Sequence, residues 1–141
     1  MGKTSIAALV VLAAFPAAPA QELRLGQERN KVEGTWEHVV PDGSPEVPRT
    51  RQLKVINQDH FMWITYDRES KLSQTSAGGS YTLEGNTYQE RVEFGRFGTP
   101  ELQTLVGQEM TYEIEIYGDL MIMTGDLPFG QRLREVWRRV K

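Results

Sequence analysis

Gly78-Gly79-Ser80-Tyr81-Thr82-Leu83-Glu84-Gly85-Asn86-Thr87-Tyr88-Gln89-Glu90-Arg91-Val92-Glu93-Phe94 consists of two alternating runs that meet at Gly85-Asn86. That dipeptide supplies the positive φ that a two-residue hairpin loop needs, so the flanking strands pair in one register. Counting back from the turn sets Leu83 opposite Tyr88 and Tyr81 opposite Glu90. One face then reads Tyr81, Leu83, Tyr88, Val92, Phe94, and the other Ser80, Thr82, Thr87, Gln89, Arg91, Glu93. This is the pattern of an antiparallel sheet buried on one side.

Outward from this hairpin the chain repeats the theme. Gly34-Thr35-Trp36 opens a strand that runs to Val40. A loop follows, rich in proline and glycine from Pro41 to Pro48, and then strands over Arg49 to Ile56 and His60 to Asp67. Arg68 to Gln74 reads as a loop before the hairpin. Beyond the hairpin, Thr99-Pro100 with Leu102, Leu105, Val106 and Gly107 has a helix cap, a first-turn proline, apolar spacing and a terminating glycine in order, which predicts one short helix of about two turns within 95–108. Met110 to Tyr117 alternates cleanly, and Gly118-Asp119 aligns Met121 and Met123 with Ile116 and Ile114. In the last strand, Gln131 to Val140, the inward face is Leu133, Glu135, Trp137 and Arg139, because the opposite phase buries Arg132, Arg134 and Arg138 without acids. Eight strands joined by tight turns predict an all-β, antiparallel, up-and-down barrel, wide enough to be filled by side chains or to hold one small ligand.

Composition agrees with one soluble domain: 39% of residues are hydrophobic and 25% charged among 141. Lys3, the apolar run Ile6 to Phe15 and the Ala18-Pro19-Ala20 ending form a secretory signal, so residues 1–20 are expected to be removed and 21–141 to form a single secreted or periplasmic domain. The apolar run is too short for the about 20 residues of a spanning helix, so no membrane insertion is expected after cleavage. The chain without Lys3 keeps 19 acidic and 15 basic side chains. Such acidity argues against a nucleic-acid partner. There is no cysteine, which removes disulfides, thiolate metal sites and thiol nucleophiles.

Gly34-Thr35-Trp36, His60-Phe61-x-Trp63 with Tyr66-Asp67, the Gly79 to Tyr88 hairpin and the Glu135-Val136-Trp137-Arg138-Arg139-Val140-Lys141 ending together resemble the lipocalin-like domain proteins exported by bacteria. The likeness spans nearly all of the chain after residue 20. It implies a calycin-type barrel whose first-strand tryptophan, here Trp36, packs at the closed end under a last-strand arginine, here Arg139. That family has no agreed ligand or reaction, so the resemblance speaks to the fold and not to an activity.

Glu90 is the first candidate site residue, since the hairpin register places its carboxylate inside, between Tyr88 and Val92. A buried carboxylate costs several kcal/mol unless paired, so an inward partner such as Arg51, Tyr81 or Tyr112 is expected. It reads either as a polar anchor for a cationic or hydroxylated ligand group or as a satisfied core acid. Tyr88, Tyr81, Trp63, Tyr112 and His38 complete the expected ligand-binding set. Antiparallel pairing of the first and last strands brings Trp36 near Arg139 and His38 near Glu135, the second pair being a candidate acid and base or a structural ion pair. His38 and His60 lack metal-site spacing, and neither a metal nor another cofactor is expected. Three readings follow: a binder of a small amphipathic or aromatic ligand, a proton-transfer or isomerisation enzyme using Glu90 or His38 as base, and a filled barrel serving as a protein-interaction module.

Overall fold

Gly85 adopts φ +60° and closes the central hairpin with Leu83 opposite Tyr88 and Tyr81 opposite Glu90, the register predicted from the dipeptide. Only the first turn residue has positive φ, which is the II′ form of the two-residue loop. The computed structural model describes residues 31–40 and 48–141. The expected signal peptide, residues 21–30, and residues 41–47 of the first loop lie outside them.

The strands are β1 (Gly34–Val39), β2 (Thr50–Asn57), β3 (His60–Asp67), β4 (Ser73–Glu84), β5 (Thr87–Arg96), β6 (Glu109–Tyr117), β7 (Leu120–Asp126) and β8 (Arg132–Arg139), with one helix, α1 (Pro100–Gln103), between β5 and β6. Each pairs antiparallel with its neighbour in sequence, and β8 returns to β1 to close the barrel. Up-and-down order sends the turns at 58–59, 85–86 and 118–119 to one end. The loops at 68–72, 97–108 and 127–131 gather at the other.

The turn end is a floor. Trp36 is fully buried, its indole donates to the Val32 carbonyl at 2.8 Å, and the Arg139 guanidinium lies 4.2 Å from its ring centroid. Arg139 also donates to the Glu33 and Lys31 carbonyls. The Trp36 and Arg139 pairing expected between first and last strands is therefore present, directly in register.

Three details differ from expectation. β4 starts at Ser73 rather than Ala77, because Ser73 to Ser76 pair with Tyr66, Thr65 and Ile64. Phe94 lies outside: Gly79 faces Val92 and Gly78 faces Phe94, so Glu93 is an inserted residue that reverses the alternation. α1 has four residues, after which Thr104, Leu105 and Gln108 bond to carbonyls three residues back, a tighter winding that ends at Gly107 with φ +88°.

Candidate functional site

Inward side chains do not fill the loop end. A cavity of about 170 Å³ remains there, walled by Gln52 and Lys54 of β2, Trp63 of β3, Glu90 of β5, Met110 and Tyr112 of β6, and Leu133, Glu135 and Trp137 of β8. Phe97, Leu102, Leu105 and Leu127 come to it from the loops, so the α1 segment lies over its mouth. Thr99 caps α1 by accepting from the Leu102 amide, with Pro100 at the first helical position. Gly107 and Gln108 then bond Val92 on β5, which ties the far end of the segment to the wall.

At the base of the cavity is a buried ion pair. Lys54 Nζ donates to Glu90 Oε1 at 2.6 Å, and both side chains are almost wholly removed from solvent. The ammonium also meets Met123 Sδ at 3.7 Å and lies 5.2 Å from the Trp137 ring centroid and 5.8–5.9 Å from those of Phe61, Tyr88 and Tyr112. Glu90 Oε2 is buried as well, and the Tyr88 phenol lies close to the carboxylate. Glu90 thus points inward as predicted, but its cation is Lys54, not Arg51. Arg51 lies on the outer face, where it grips Glu37 at 2.7 and 3.0 Å and donates to the Tyr66 hydroxyl.

The tyrosines around this pair are kept neutral. Burial, and then the Glu90 charge, raise the Tyr88 phenol well above its ordinary range. The same causes, with a smaller contribution from Glu135, raise Tyr112. Tyr112 reaches the cavity and donates to the Met110 sulfur at 3.4 Å. Tyr81 and Tyr88 stack on each other at 5.1 Å beneath it and do not line it.

Of the predicted ligand-binding set, Glu90, Trp63 and Tyr112 meet at the cavity. His38 packs edge-on against Trp137, with ring centroids 5.1 Å apart, because Trp137 and not Glu135 is its cross-strand partner. Glu135 instead accepts from the Trp137 indole at 3.1 Å. Sequence reasoning missed Lys54. The signal for it was the Asn57 to His60 turn, which sets Ile56 against Phe61 and Lys54 against Trp63. His60 is exposed beside Asp59. No group of three histidine, aspartate or glutamate side chains suited to a metal gathers among the described residues.

A second hollow, about 250 Å³, lies near the floor among Lys31, Leu83, Gly85, Asn86, Ile114 and Ile116. Lys31 is the single ionisable side chain lining it.

No curated protein matches the chain. A family model described as a domain of unknown function, DUF4488, matches residues 31–141, which includes all eight strands of the barrel. The chain therefore belongs to the DUF4488 family.

Proposed function

We propose that the protein is an exported, lipocalin-like barrel that binds a small amphipathic or aromatic molecule in its loop-end cavity. The observation that carries this reading is a desolvated Lys54 and Glu90 pair beside unfilled space among aromatic rings. Burying two charges is costly compared with apolar packing, so a pair facing a hollow suits orientation of a ligand better than stability. The size sets the scale: about 150 Å³ is enough to hold benzene, so the ligand is small, with roughly six to ten non-hydrogen atoms. Export rests on the signal-like first twenty residues.

The enzyme reading has less support. Neither cavity carboxylate has a histidine as its hydrogen-bond partner: Glu90 pairs with Lys54, beside the Tyr88 phenol, and Glu135 accepts from an indole. Native mass spectrometry of protein purified from its own host provides the test. The expected spectrum carries a retained small molecule that is lost when Leu105→Trp fills the cavity. Bare protein across several growth conditions, together with no binding of added toluene, overturns the proposal.

A further inference from the structure

Resting on that cavity reading, we propose that the ligand is a small organic ammonium: an amine on a single ring or short apolar chain, with its positive charge held at Glu135. The case is made by charge and by unused hydrogen-bonding capacity at the cavity wall.

Lys54, Glu90 and Glu135 are the ionisable acid and base groups that line it. Lys54 and Glu90 cancel each other at 2.6 Å. Glu135 has no cation within ion-pair distance among the described residues, and its one bond comes from the neutral Trp137 indole. The wall is left with one uncompensated negative charge.

The unused polar capacity is of a single kind. The Glu90 carboxylate, answered by Lys54 with the Tyr88 phenol beside it, keeps some acceptor capacity, and the indole bond to Glu135 occupies only Oε2 of that carboxylate. Both are acceptors. An ammonium brings three donors, no acceptor and the missing charge. A hydroxyl brings one donor and leaves the charge standing, and a carboxylate adds a second negative charge. Trp63, Phe97, Tyr112 and Trp137 supply aromatic surface for the apolar body and faces that attract a cation. Lys54 does not bar a second cation, because its ammonium is already answered by Glu90 and the rings around it. One ring with a one-carbon amine arm matches about 170 Å³.

Calorimetric titration of the full chain with benzylamine, benzyl alcohol, benzoate and toluene tests this, since the four share nearly one shape. Benzylamine is expected to bind about tenfold tighter than benzyl alcohol, the margin of a charge-assisted bond over a neutral one, with benzoate weakest. Glu135→Gln keeps an acceptor for the indole. It is expected to cost benzylamine about tenfold and leave toluene unchanged. Benzyl alcohol or benzoate binding as tightly as benzylamine, or Glu135→Gln weakening toluene equally, overturns the ammonium assignment while leaving the cavity reading in place. Failure of all four probes to bind overturns both. Should Glu135→Gln not fold, the ranking of the four probes on the parent protein decides.

Discussion

Lys54 and Glu90 each occupy a position that neither could hold without the other. Removing one partner leaves a charge in an apolar surround, whereas replacing both with apolar groups of similar size leaves nothing unanswered. Lys54→Met is therefore expected to lower unfolding free energy by about 3–5 kcal/mol in urea titration, and Lys54→Met with Glu90→Leu to return to within about 1 kcal/mol of the parent or above it. A single variant as stable as the parent would show that Glu90 does not depend on Lys54. One half of this pair was legible in the sequence. The Gly85-Asn86 turn dictated that Glu90 point inward, but residue type misled on β2, where Arg51, Leu53 and Val55 form the more apolar face and yet look outward. Composition loses to register there: Phe61 and Trp63 face inward on β3, and they carry Ile56 and Lys54 inward with them.

At the scale of the element, period two is a reliable guide until a residue is inserted. Glu93 is that residue in β5, and it turns Phe94 out to cover Gly78, where an added Cβ would lie 2.5 Å from the ring. Consecutive glycines in the facing strand were the visible sign of such close approach. The β3 to β4 connection is organised by Asp67, whose carboxylate accepts from the Ser70 and Glu69 amides and from Arg49. These bonds, the Ser70 amide foremost and Arg49 next, hold Asp67 at about 2, below its ordinary 3.8. A carboxyl depressed in the folded state stabilises it fully above the ordinary value and loses that contribution as pH falls through the folded one. Stability is thus expected to decline between about pH 4 and pH 2, and Asp67→Asn to flatten that decline in denaturant titrations. An unchanged slope in the variant would assign acid sensitivity elsewhere. Serines at 73 and 76 hid the start of β4, because their pairing depends on β3 lying alongside and not on their own preference.

For the whole molecule, closure depends on the seam between the two strands most distant in sequence. Trp36 sits opposite Arg139, and the guanidinium reaches past it to two carbonyls just ahead of β1. Arg139→Ala is expected to cost about 2–3 kcal/mol, from one stacked cation and two charge-assisted bonds. It should also speed hydrogen exchange at β1 and β8 amides before those of β4 and β5. Uniform exchange across all strands would mean that Arg139 is not what keeps the seam shut. The number of strands and their order were readable in advance, since turns and alternation determine them, and the floor was what the family resemblance implied. The volume left at the loop end was not, because it is the small difference between the width of an eight-strand ring and the bulk of side chains arriving from six separate elements.

The same seam has a bearing on how the chain is made. The segment that completes the ring, Arg132–Arg139, is the last of the eight strands to be synthesised. A nascent polypeptide therefore displays β1 as a bare edge, ready to pair with strangers, until β8 has emerged to cover it. Any insertion that delays the emergence of β8 prolongs the hazard, and a chaperone serving this protein would have to hold it until that strand is free to pair.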